Sequence, residues 1–389
     1  MEMKEHAYVV GGYEHPLRFA PGKSVVQLHA ECAVGALNDA GLSLQDVDAY
    51  FCAADAPGAS PAFMADYLNL TLRHLDGTHA GGCSYIVHVG HAVQAIVSGR
   101  CNVALITMAG KPRSGGMATG TAPILPDPEL PPAPFEAPYQ STVVGVYGAF
   151  AKRHMYEFGT TSEQMAWVRV AAASHAQHNP NALLRTPCTV DDVLASPMIA
   201  DPLRRLDCCV ITDGGGAMVI ANQAVARSLS QPLVKVRGYA QTVKTNSGGY
   251  LDLLSTGAAR SGPEAFADAG VAPSDIKYAS IYDNFTISVI MQLEDLGFCR
   301  KGDGGKFVAD GNLISGVGKL PFNTDGGGLC NNHPANRGGM TKLLEAMRQL
   351  RGQAAPAVQV PGCDLALACG PGALLNTGHS HATVIMERE

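Results

Sequence analysis

Charge and aromatic rings are scarce in this chain. Asp, Glu, Lys and Arg make up 16% of its 389 residues, and Phe, Trp and Tyr only 6%, with a single Trp. The net charge of −6 offers no electrostatic pull toward nucleic acid or an anionic membrane surface. No apolar run approaches the roughly 20 residues needed to span a bilayer. No CxxC pair marks a zinc site, and the 11 cysteines are an odd, irregularly spaced set that makes no disulfide framework. The opening residues run straight into a strand-like Ala7 to Val10 without a secretory apolar region. The expectation is a cytoplasmic protein with reduced thiols and no metal centre.

Glycine is what the chain has in quantity, 44 residues, within a 46% hydrophobic composition. That balance fits a compact, loop-rich α/β protein, and 389 residues suffice for two domains or one unit built twice. The text does repeat. The run Ala36 to Val47 (ALNDAGLSLQDV) returns as Ala265 to Ile276 (AFADAGVAPSDI), with Gly41 and Gly270 229 positions apart. Each copy reads as helix, glycine stop, short acidic turn and strand, the strands falling at 49–53 and 278–282. A second pair agrees: a helical run over 83–99 feeds a strand near 102–108, and one over 340–352 feeds a strand near 364–369. Two matching βα units imply two halves about a pseudo-twofold axis, residues 1–232 and 233–389. An insertion at about 111–205 interrupts the first half. It contains a rigid proline-rich stretch, 122–138, and helical runs over 141–158 and 162–178.

The stretch Asn323 to Gly339 (NTDGGGLCNNHPANRGG) holds too much glycine and asparagine, and a His-Pro step, for regular structure. It is a loop that delivers His333 just ahead of a helix. Cys83, in AGGCSY, stands at another strand-to-helix turn, where unpaired N–H groups and the helix dipole favour a thiolate; the bland alternative is a buried, inert thiol. Cys330 and the Cys208-Cys209 pair lack ligand spacing and read as packing. His88 and His91 read as core histidines, and His379 with His381 are too few for a metal site.

The Asn323-x-x-Gly-Gly, His333-Pro334 and following glycine pattern resembles the loop of the thiolase superfamily. It is closest to the sterol-carrier-protein-type thiolases, or lipid-transfer proteins, and the similarity runs over nearly the whole chain. The resemblance implies a thiolase fold: α/β, two duplicated βα halves in a five-layered αβαβα arrangement with an inserted loop domain, assembled as a homodimer. It also implies a CoA-dependent acyltransferase that cleaves a bulky 3-oxoacyl-CoA, aromatic ones such as benzoylsuccinyl-CoA included. In that scheme Cys83 attacks the keto carbon; counting back from Gly99, the register against the family pattern can also slip by one and place Gly82 at the nucleophile position. His333 and Tyr282, with Asn323 nearby, stabilise charge at the thioester, and Cys369 protonates the departing enolate. Gly370, Gly372 and Gly327 line the substrate site, Pro371 between the first two having no N–H to give. Coenzyme A is then a substrate, no cofactor is covalently bound, and a small OB-fold/zinc-ribbon protein assists CoA binding. Two other readings accompany it: a retro-aldolase that cleaves a 3-hydroxyacyl-CoA of the steroid side-chain type through Tyr282, and a non-catalytic acyl-CoA-binding subunit.

Overall fold

The computed structural model describes residues 6–121, 142–244, 252–334, 338–375 and 378–389. The proline-rich stretch, Ser141, Asn336 and Arg337 lie outside these residues, as does the side chain of His379.

Among the described residues the strands are β1 (Ala7–Glu14), β2 (Ala49–Phe51), β3 (His74–Asp76), β4 (Val103–Gly110), β5 (Met198–Ala200), β6 (Leu203–Arg204), β7 (Gly214–Asn222), β8 (Val234–Val243), β9 (Tyr278–Ile281), β10 (Leu365–Leu375) and β11 (Gly378–Arg388). Nine of them run in the order β3-β2-β4-β7-β1-β8-β11-β10-β9, while β5 and β6 form a separate ribbon. β1 and β8 touch only over Tyr8↔Lys235 and Val9↔Val234, so two sheets, one from each half, meet along a short seam.

The repeated text folds into repeated structure. Helix Val25–Ala40 starts on a Ser24 capping box and stops at Gly41 with φ 74°; helix Ala258–Ala269 stops at Gly270 with φ 65°. Both glycines take the left-handed conformation that closes a helix at no Cβ cost. A single turn follows in each half, fastened by Asp46 accepting from the Ser43 N–H at 2.8 Å and Asp275 from the Ala272 N–H at 2.8 Å. The chain then enters β2 and β9 respectively.

Strand alternation sorts the side chains into layers. On β1, Ala7 and Val9 join a core with helices Ser84–Val97 and Gly339–Arg351, while Tyr8 and Val10 join the core under helix Val25–Ala40. On β10, Ala366 and Ala368 face that same central helical layer, while Leu367 and Cys369 face the opposite way, toward helices Ala258–Ala269 and Thr286–Asp295. The result is helix, sheet, central helix pair, sheet, helix. The insertion's helices, Val143–Phe158 and Ser162–Ala176, pack on the second half's outer layer through Phe150, Met165 and Val168.

Candidate active site

The central helix pair brings two loop–helix junctions together, one at Gly81–Ser84 and one at Gly338–Gly339. Tyr282 enters between them. It follows directly on β9, its N–H donating to the Cys369 carbonyl at 3.0 Å and its carbonyl accepting from Gln292 Nε2 at 2.9 Å. Its ring is walled by glycines. A Cβ on Gly82 would stand 2.7 Å from the hydroxyl, one on Gly338 2.9 Å from Cε2 and Cζ, and one on Gly370 2.6 Å from the tyrosine Cβ. Any side chain at these positions would displace the phenol.

The Tyr282 hydroxyl lies 2.9 Å from His333 Nε2, the two rings edge to face with centroids 5.5 Å apart. The Gly338 N–H donates to the same hydroxyl at 3.3 Å. The His333 backbone is clasped by Thr212, whose Oγ1 accepts the His333 N–H at 2.9 Å and whose N–H donates to the His333 carbonyl at 3.3 Å. Its Nδ1 has no hydrogen-bond partner among the described residues. Burial first, and then the nearby Lys342 ammonium, lower the His333 pKa to about 3, so the ring is neutral at ordinary pH. Burial pushes the Tyr282 phenol well above 10. The pair is thus a protonated phenol beside a neutral imidazole.

Asn323 does not touch this pair. At φ 41° it turns its side chain back onto β9, Oδ1 accepting from the Ile281 N–H at 2.9 Å and Nδ2 donating to the Ile281 carbonyl at 2.8 Å. It fixes the strand end from which Tyr282 departs. Gly327, at φ 60°, is pressed against the Asp283 carboxylate and Asn323 Nδ2, where a Cβ would collide.

The thiols of Cys83 and Cys369, expected to act together with His333, make their hydrogen bonds away from the Tyr282–His333 pair. Cys83 is fully buried in the central core, its thiol donating to the Ala80 carbonyl at 3.3 Å and Ser380 Oγ at 3.4 Å, and burial raises its pKa to about 11. Gly372 abuts that thiol; a Cβ there would be 2.6 Å from Sγ. Cys369 lies on the other face of β10, where burial holds its pKa far up and its thiol faces Gln292 Oε1 at 3.6 Å. The second sheet therefore separates Cys83 from Cys369. At the turn it is Gly82, one residue before Cys83, that faces Tyr282.

Tyr282 and His333 open onto a cavity of about 220 Å³. Its walls include Met117, Val143, Val144 and Ile211 from the insertion and the segment after it, with Phe285, Asn284 and Cys209 beside the tyrosine. Phe285 is braced by Tyr147, the rings stacked at 4.5 Å and 29°. No charged side chain lines the cavity among the described residues, and neither Cys83 nor Cys369 does. Cys209, read from the sequence as packing, here lines the cavity, Asn284 comes with the segment that carries Tyr282, and Ile211 has no local signal, so only the fold sets it beside the tyrosine.

Two sheet-bearing halves around a shared central helix pair, with a loop histidine and a strand-end tyrosine at their junction, define a thiolase-type α/β protein. Residues 240–388 match the family model described as "Thiolase C-terminal domain-like". The chain is 32% identical to an acetyl-CoA acetyltransferase of Methanothermobacter thermautotrophicus over 92% of this chain and 93% of that one. It is 36% identical to the 17-hydroxy-3-oxo-4-pregnene-20-carboxyl-CoA lyase of Mycobacterium tuberculosis, covering 85% and 88%. Among solved structures, the "Ltp2-ChsH2(DUF35) aldolase" superposes with a TM-score of 0.86 at 30% identity over 98% of both chains. The chain belongs to the thiolase superfamily, in its sterol-carrier and lipid-transfer branch.

Proposed function

We propose that this protein catalyses retro-aldol cleavage of a 3-hydroxyacyl-CoA. The observation that carries this reading is the Tyr282–His333 pair, hydrogen-bonded at 2.9 Å at the wall of a cavity that neither Cys83 nor Cys369 reaches. Thiolase-type acyl transfer through a Cys-linked intermediate needs a cysteine sulfur at the substrate carbon. Retro-aldol chemistry needs only a base for one hydroxyl proton and donors for the enolate oxygen.

The step balances without an oxidant or added thiol. As Tyr282 takes the 3-hydroxyl proton it passes its own to His333 Nε2, with the Gly338 N–H holding the phenol oxygen in place. The C2–C3 bond breaks, its electron pair moving into the thioester as an enolate, and C3 leaves as a carbonyl. The proton then returns through the pair to C2, releasing a shortened acyl-CoA. In the resting tautomer Nε2 accepts from Tyr282, so Nδ1 carries a hydrogen, a donor that a thioester oxygen can satisfy. Among the described residues the cavity walls are uncharged and largely apolar, which fits a departing carbonyl fragment that is itself apolar and uncharged. A lyase and an aldolase among the relatives favour the same chemistry. With coenzyme A held as the thioester handle, we further propose a homodimer, in a compartment that keeps thiols reduced, working with a partner subunit that helps bind CoA; the DUF35 component named in the solved "Ltp2-ChsH2(DUF35) aldolase" supports a partner of some kind.

The decisive experiment incubates the protein with 3-hydroxyacyl-CoA and, separately, 3-oxoacyl-CoA plus CoA, and follows products and protein mass. Carbonyl release that survives Cys83→Ala and falls by on the order of 100-fold or more in Tyr282→Phe is expected. CoA-dependent cleavage with an acyl adduct on a cysteine would replace this reading by thiolysis. Binding without turnover would make the chain a carrier.

A further inference from the structure

Three segments carry the groups that define the reacting pair: the end of β9, the loop before His333, and the helix that begins after Gly338. All three meet at one carboxylate. Asp283, the residue after Tyr282, accepts from the Gly328 N–H at 2.8 Å and the Leu329 N–H at 3.1 Å, both in the His333 loop. It also takes the Lys342 ammonium at 2.9 Å, from helix Gly339–Arg351. Side-chain exposures are 1% for Lys342 and 0% for Asp283, so the pair is sealed inside the protein. Gly327 has no side chain and so leaves room for the carboxylate to approach the loop.

We propose that Lys342, acting through Asp283, is the positioning residue that holds Tyr282 and His333 at proton-transfer distance. This rests on the two being the reacting pair assigned above. With the ion pair in place, the tyrosine's strand end, the histidine's loop and the helix whose flanking Gly338 N–H meets the phenol are fixed to a single point. Without Lys342 the helix is no longer tied to that point and an unpaired buried carboxylate is left holding the His333 loop through the Gly328 and Leu329 N–H groups alone, and a displacement of about 1 Å in a reacting pair costs on the order of 100-fold in rate. The ammonium has a second effect. It is the charge that, after burial, disfavours a proton on His333. Among the described residues, the other titratable and charged groups near the histidine are the Tyr282 phenol and Asp283 on the strand side and the Cys208 and Cys209 thiols around the cavity. Behind it, Arg18 holds Asn331 and Glu14 holds Asn332, just before the histidine.

The test compares the parent with Lys342→Arg, Lys342→Met and the charge-balanced double variant Asp283→Asn with Lys342→Met. Two readouts are taken: kcat and KM on the best 3-hydroxyacyl-CoA, and the titration of His333 by NMR with labelled histidine, assigned through His333→Asn. Lys342→Met should lower kcat on the order of 100-fold with KM within about threefold. It should raise the pH at which His333 protonates by about one unit. Lys342→Arg should keep both readouts near the parent. Should Lys342→Met not fold, the double variant carries the same expectation without a stranded charge. Parent-like kcat and parent-like titration in the double variant overturn the proposal, as does lost thermal stability with both readouts unmoved. A parent that turns over no 3-hydroxyacyl-CoA sinks the functional reading instead, and the Tyr282–His333 distance in a crystal structure of Lys342→Met then decides the positioning role: an unmoved pair overturns it.

Discussion

Gly82 and Tyr282 share one space: a Cβ on Gly82 would lie 2.7 Å from the phenol oxygen and 2.8 Å from Cε2 and Cζ. The tyrosine fills the spot toward which a residue at this turn would direct its side chain. Gly82→Ala meets the ring rather than a backbone restriction, because the strained left-handed conformation belongs to Gly81, not Gly82. The variant should therefore fold, and turnover should drop on the order of 100-fold as the phenol is pushed off His333. Steady-state kinetics beside a melting curve checks both halves; unchanged kcat in a folded variant removes Tyr282 from the reaction.

Cys83 should behave as a structural thiol. It is fully buried with a pKa of about 11, so at pH 8 only about one molecule in a thousand carries a thiolate. Native protein treated with iodoacetamide should show no label on Cys83 by peptide mass spectrometry, and unfolded protein should show it fully. Cys83→Ala should lose about 1 kcal/mol of stability with turnover unchanged.

Asn323 should matter to stability more than to chemistry. Its side chain satisfies both the N–H and the carbonyl of Ile281 in a fully buried place. Asn323→Ala leaves both unpaired and puts an alanine at φ 41°, at a combined cost of about 3 kcal/mol or more. Urea denaturation measures the loss. Asn323→Asp, which keeps the acceptor but not the donor, should fall between the two.

Stability should decline on the acid side, and histidines should drive the decline. Burial first lowers His88 and His175 to about 4 and His333 to about 3. A depressed folded-state pKa means the unfolded chain binds more protons below its own value near 6.5, so this stability is present above that pH and is lost toward 4 and 3. Each histidine adds up to about 1.4 kcal/mol per pH unit within its window. Glu345 works the other way: burial raises it to about 7, so its contribution is full below the unfolded value of 4.5 and fades as pH rises through 7. Chemical denaturation from pH 4 to 8 should show the acid decline, and His88→Gln should flatten it by about one histidine's share. An unchanged slope would remove His88 from the account.

Much of the architecture was legible in the residues. The repeated text around Gly41 and Gly270 announced two like halves because glycine stops, acidic turns and strand entries are local devices that fold the same way wherever they recur. The crowded glycines and asparagines before His333 announced a loop holding one imidazole. The helix boundaries shifted by only a residue or two, as capping settles them. Nothing local announced Asp283 with Lys342, 59 positions apart, because a buried ion pair is a property of two surfaces brought together.

What the sequence alone determined was the fold, the halves and the short list of chemically able side chains. Which of them stand together was decided only in three dimensions. Successive residues at the Gly82-Cys83 turn point in different directions, so a one-residue difference in register separates the cavity from the core. Alternate residues of β10 face opposite sides of a sheet, which sends Cys369 away from Cys83. Tyr282 and His333, 51 positions apart, meet because two duplicated halves close on a common central layer, and no linear pattern encodes that distance.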